Sequence, residues 1–246
     1  MFSLTCTMAM GNEWPWIELA WLKCLEEKNA SLLAQGGTPI SRYHSVDINN
    51  FRGEFADWNG LERQAFCEKL MRIFSRHEWG YEGYLINLQE MVEELPEAKS
   101  DPIGVAYDVL LKFLMAEIGK GIMELPSGKI TLFHERCDYD GVFLDSFNTL
   151  IDDPTFTSRT CFTTIAPMGW EDCVPLQPAD LVAYENFKEG FRRLPSGKPR
   201  ERRKILEKLL SMDSFVPHAK IFTRDNIIKM KPIFDTAIKK LGNKTT

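Results

Sequence analysis

The sequence predicts an α/β fold, on three observations. Short apolar runs rich in β-branched and aromatic residues recur along the chain: Phe2 to Met10 (FSLTCTMAM), Gly80 to Leu88 (GYEGYLINL), Lys129 to His134 (KITLFH) and Arg159 to Ala166. Between them lie longer stretches in which apolar residues return every three or four positions, the period of a helix with one buried face. Glycine and proline mark the joints, as at Gly11-Asn12 and Pro126-Ser-Gly128. With 246 residues, 44% of them hydrophobic, the chain can bury a sizeable core as one large domain or two small ones.

Taken in order, Phe2 to Met10 reads as a buried strand closed by the Gly11-Asn12 turn. Trp14-Pro15 opens a helix to about Asn29, because proline suits the first turn and Ile17, Trp21, Cys24 and Leu25 share a face. Trp14, Trp16 and Trp21 are expected to pack rather than to form a stacking platform. Gly36 to Asp57 is polar, contains glycines and is too long for a simple turn; loops of that kind often carry function. A helix from about Leu61 to Ser75, the Gly80 strand and a strongly apolar helix from Pro102 to Ile118 follow. After the Lys129 strand, helices are expected from about Val142 to Leu150 and from near Pro178, with the Arg159 strand between them. Leu194-Pro-Ser-Gly-Lys-Pro199 then breaks the chain. Beyond it come a charged helix to about Leu210 and a helical face of Ile227, Met230, Ile233 and Ile238. The expected division is a domain over 1–194 and a small, basic, helical C-terminal extension over 195–246.

Charge and cysteine usage exclude some classes. A net charge of −5 argues against a generally basic nucleic-acid binder, although a local patch is compatible with it. The six cysteines form no C-x-x-C pair and sit mostly in apolar surroundings, which suits reduced thiols and a cytoplasmic location. No apolar run reaches membrane-spanning length and the apolar start lacks a basic leader, so neither a membrane nor a secreted form is expected.

Several side chains are candidates for chemistry. Glu135, Asp138 and Asp140 follow directly on the Lys129 strand, where open α/β sheets place their sites. Carboxylates gathered there would hold Mg²⁺ or Mn²⁺ through oxygen; the same pattern also reads as a solvated turn capping the next helix. Asp180 stands near a helix start, either as an acid favoured by the helix dipole or as a metal ligand in partly apolar surroundings. His44 lies in the long polar loop beside Asp47. The histidines show no compact zinc spacing, and G-x-S-x-G, P-loop and G-x-G-x-x-G motifs are absent, so no zinc site, serine hydrolase, nucleotide kinase or dinucleotide enzyme is expected. Lys and Arg outnumber Glu from Lys188 to Lys204. Arg192, Arg193, Lys198, Arg200, Arg202, Arg203 and Lys204 there form either a solvated face or a strip for nucleic-acid phosphates.

The residues Leu176-Gln177-Pro-Ala179-Asp180-Leu181-Val182-Ala183 resemble the L-Q-x-A-D-L-v-A signature of the family named "domain of unknown function 3800". Tyr43-His44-Ser-Val-Asp47 resembles that family's histidine-containing loop, and Phe133-His134-Glu135-Arg136 its later strand ending in an acidic pair. The resemblance covers about residues 2 to 194. It implies a ribonuclease-H-like mixed sheet with flanking helices, in which Glu135 and Asp180 hold divalent metal for phosphodiester cleavage and His44, Asp138 and Asp140 assist. The family's first strand, with its Asp-Glu-Ser motif, would fall before Met1, and His134 stands where the family has an acid. The expected function is that of a metal-dependent nuclease or phosphodiesterase, the alternative an inactive module binding nucleic acid or protein through the basic strip.

Overall fold

The computed structural model describes residues 1–74, 76, 79–125, 128–194, 201–211 and 219–242. In chain order the elements are β1 (Phe2–Ala9), α1 (Trp14–Ala34), α2 (Ser45–Asn50), α3 (Gly60–Phe74), β2 (Trp79–Ile86), α4 (Leu88–Glu94), α5 (Pro102–Met123) and β3 (Ile130–Glu135). They continue as α6 (Asp140–Asp152), β4 (Phe162–Met168), α7 (Leu176–Arg193), α8 (Lys204–Leu210), β5 (Ala219–Phe222), α9 (Arg224–Lys229) and α10 (Lys231–Gly242). The fold is mixed α/β, with helices flanking the sheet. β1, β2 and β5 form a three-stranded sheet in that order, and β3 pairs with β4 in a second sheet. The β2–β5 and β3–β4 pairs are both parallel. Among the described residues no helix is long and apolar enough to cross a membrane.

By internal contacts the chain forms two compact units, one of residues 1–4, 82–169 and 219–246, the other of 5–81 and 170–218. The first is built round α5, whose buried face includes Val105, Val109, Leu110, Leu114 and Met115. Asp101 starts this helix by accepting the Gly104 N–H at 2.9 Å, and Pro102 occupies the first turn, where its missing N–H costs nothing. A Cβ on Gly104 would fall 2.1 Å from the capping carboxylate, so the cap requires glycine there. α6 and α10 pack against α5. In the two-stranded sheet, Leu132 pairs with Ile165, both buried, and Phe147 of α6 meets Phe162 edge to face.

The second unit is centred on Trp21 of α1, fully buried against Tyr43 and Phe74. α3 adds Phe66, Leu70 and Met71, and α7 adds Leu181 and Val182. Ile17, Trp21, Cys24 and Leu25 do share the buried face of α1, as their spacing predicts, and the helix runs on past Asn29 to Ala34, burying Leu32 as well.

Four sequence expectations change. Trp16 is 62% exposed and does not pack. β1 is half-buried along its whole length rather than buried. The segment after Gly36 is not one loop, since α2 and a 3-10 turn at Gly53–Phe55 lie within it. The C-terminal residues are not wholly helical: β5 adds a strand beside β2, too short at four residues to stand out by periodicity.

Candidate metal centre and histidine cleft

β3 ends at Glu135, and the chain turns at once into α6. The turn brings ligand atoms of His134, Cys137 and Asp140 within 4.8 Å of one another, a set that could hold a metal ion. His134 is fixed by stacking on Phe143 one turn into α6, at 4.3 Å between ring centroids. Its Nδ1 lies 3.1 Å from the Glu135 carbonyl and 3.6 Å from the Asp140 carboxylate. Asp140 accepts the Cys137 N–H at 2.9 Å, which closes the turn. Burial pulls the His134 pKa below its ordinary value despite the raising effect of the Glu135 carbonyl and Asp140, so the ring is neutral at pH 7 and available as a ligand. Burial likewise raises the Cys137 thiol, so a metal binding there would have to displace its proton. Glu135 and Asp138 flank the cluster, both exposed.

Asp180 does something else. It lies beyond the first turn of α7, which carries no acid, so the helix dipole does not account for it. Its Oδ2 accepts the Ser45 N–H at 2.7 Å, the first N–H of α2. The N-cap residue of that helix, His44, makes no side-chain cap, so Asp180 supplies it from 135 residues away. One turn earlier on the same face, Gln177 accepts the Tyr43 N–H at 2.8 Å and the Trp21 indole N–H at 3.0 Å. Two side chains three apart on α7 therefore fix alternate N–H groups of an extended segment, with His44 between them. Glu135 and Asp180 belong to different compact units.

His44 is held on its other side by Asp47, with Nδ1 to Oδ2 at 2.7 Å. The pair borders a cleft of about 260 Å³ lined also by Arg42, Glu54, Phe55 and Trp170. Glu54 accepts both the backbone N–H and the hydroxyl of Ser41, at 2.7 and 3.1 Å, and Arg42 lies over the Trp170 ring at 4.8 Å. All but Trp170 come from the polar, glycine-containing stretch between Gly36 and Asp57.

The basic strip is organised by two buried acids of α7. Glu189 receives Arg192 through two hydrogen bonds of 2.7 and 2.6 Å, Arg193 at 2.9 Å and Arg202 at 3.4 Å. The Arg192 hydrogen bonds, with help from Arg193 and against the opposing effect of burial, lower the Glu189 pKa to about 2. Arg203 binds Glu185 at 2.8 and 3.0 Å and reaches Asn49 at 2.6 Å, yet burial leaves the Glu185 pKa raised. Lys204 is exposed at the start of α8, while Lys198 and Arg200 lie outside the described residues.

Sequence reasoning missed Cys137, Gln177, Glu185 and Glu189. An H-x-x-C-x-x-D spacing from His134 to Asp140 was the available signal for the first, and the three-residue step from Gln177 to Asp180 for the second. Compared with known proteins, the chain matches no family model, no curated protein and no solved structure.

Proposed function

We propose that the chain is a metal-dependent hydrolase of phosphodiester bonds, of the ribonuclease-H-like type that its L-Q-P-A-D-L-V-A residues resemble, with its ion at His134, Cys137 and Asp140. The observation that carries the reading is the convergence of three ligand groups at the C-terminal end of a parallel strand. Glu135 and Asp138 stand nearby in sequence as further oxygen donors. Against the expectation of Mg²⁺ or Mn²⁺ and of no zinc site, a nitrogen, sulfur and oxygen set suits Zn²⁺ rather than an ion that prefers oxygen throughout. Cys137 and Asp140 supply ligands that a search for paired histidines passes over. A bound ion would supply Lewis acidity to a phosphoryl oxygen. For this chain's own part, the stacking of His134 on Phe143 fixes the imidazole, and the Asp140 bond to the Cys137 N–H holds the turn that presents the thiol.

Metal-free protein should take up one equivalent of Zn²⁺ in a calorimetric titration, releasing protons as the thiol ionises. With Co²⁺ it should show the near-ultraviolet absorption of a thiolate ligand. Cys137→Ser should abolish that absorption and weaken binding by at least about 10-fold. No uptake, or uptake indifferent to Cys137→Ser, would refute the site.

A second reading, a module holding nucleic acid through the strip, is supported by the charge balance at Glu189. Three guanidiniums meet one carboxylate there, so the cluster stays net positive. Retention on single-stranded nucleic acid should then fall steeply with salt, and the slope should shrink by about 1 for each of Arg192, Arg193 and Arg202 replaced by Ala. An unchanged slope would exclude phosphate contacts by these three.

A further inference from the structure

The side chain that the resemblance marks for metal, Asp180, is engaged in holding a histidine loop, and the histidine so held faces a cleft. His44 has a fixed N–H on each side, Tyr43 by Gln177 and Ser45 by Asp180, and Ser45 is tied again through its hydroxyl to the Asp180 carbonyl at 3.1 Å. The Asp47 carboxylate accepts from Nδ1, which assigns the proton to that nitrogen and leaves the Nε2 lone pair as the ring's base. This is the arrangement of a general base with its orienting acid.

The lining of the cleft defines a class of ligand. Nε2 and the carboxylates of Asp47 and Glu54 can accept hydrogen bonds from hydroxyl groups, and the Arg42 guanidinium, which lies over the Trp170 ring, supplies positive charge for a phosphate. A hydroxylated sugar joined to a phosphate combines these properties, and about 260 Å³ is on the order of one nucleotide in size.

We propose that His44 and Asp47 form a general base and its orienting acid in a cleft that takes one ribonucleotide of an RNA strand, with Gln177 and Asp180 as positioning residues. The substrate class rests on the phosphodiester reading above. Nε2 takes the proton of the ribose 2′-hydroxyl, the 2′-oxygen bonds to the adjacent phosphorus, and the bond from phosphorus to the 5′-oxygen breaks. The departing 5′-oxygen takes a proton from solvent water while the proton on Nε2 returns to solvent, leaving a cyclic phosphate and a free 5′-hydroxyl. Nothing is oxidised and no co-reactant is consumed.

The test uses the full chain, an unstructured RNA and its 2′-deoxy counterpart, in excess EDTA. The RNA should be cut to cyclic-phosphate ends and the deoxy strand left whole. His44→Ala should lower the rate by about 100-fold or more. Asp180→Ala should lower kcat with little change in KM. Asp180→Asn should restore most of the rate, because its amide oxygen still accepts the Ser45 N–H. Near-ultraviolet circular dichroism establishes that each variant is folded. Intact RNA after incubation with folded wild-type protein would overturn the proposal, as would cleavage unaffected by His44→Ala. Cleavage that requires added Zn²⁺ and survives His44→Ala would overturn it while upholding the metal reading.

Discussion

Gln177→Leu is expected to destabilise the protein by about 2 to 6 kcal/mol, although leucine fills nearly the same space and favours helix. Gln177 is 4% exposed, and its one oxygen accepts both the Trp21 indole N–H and the Tyr43 N–H. Removing it strands two buried donors, each costing about 1 to 3 kcal/mol in desolvation that nothing repays. The loss should appear as a lower urea midpoint with an unchanged slope. Trp21→Phe removes one of the stranded donors, so the double variant should lose less than the sum of the two single losses, by about 1 kcal/mol. Strict additivity would mean that the indole bond contributes nothing.

Asp108→Ala is expected to cost about 3 to 5 kcal/mol, the penalty for breaking a buried ion pair from one side. Asp108 is fully buried on α5, where it accepts hydrogen bonds from Lys112, from Ser146 of α6 at 2.5 Å and from Lys240 of α10 at 3.0 Å. It thus ties together the three helices at the centre of its unit, and its loss leaves two largely buried ammonium groups without their counter-charge. Burial raises its pKa, but the hydrogen bonds from Lys112 and Ser146 and the charges of Lys112 and Lys240 outweigh it, so the carboxyl ionises below its ordinary value. Its stabilisation is therefore complete above the ordinary carboxylate range and lost as pH falls through the lowered folded value. Thermal melts of wild type and Asp108→Ala should differ most near pH 7 and converge as the pH is brought below that range. A difference that widened in acid would contradict this account.

The fold class was legible because helices and strands leave periodic traces, and the starts of α1 and α5 carried their prolines in plain view. Where the sequence misled, the deciding partner lay far along the chain. Nothing local announces that residues 45–50 form a helix. Six residues barely repay helix nucleation, and the groups that support α2, Asp180 and Arg203, lie more than 130 residues away. Asp180 was conspicuous as an acid among apolar neighbours, but whether it faces a cation or an N–H group is a matter of what packs against it. Cys137 forms no C-x-x-C pair and stands in a charged, exposed turn, so neither cysteine spacing nor apolar periodicity marks it. The polar stretch from Gly36 to Asp57 stood out by its length and composition, and it lines the cleft.

The long reach of α7 also sets an order of events during synthesis. Trp21, Tyr43 and Ser45 emerge from the ribosome well over a hundred residues before Gln177 and Asp180, their acceptors. Until α7 is made, the stretch that bears His44 has no partner for these N–H groups, and closing so long a loop is slow compared with forming a local turn. The histidine cleft is thus among the last features to take shape as the nascent chain folds.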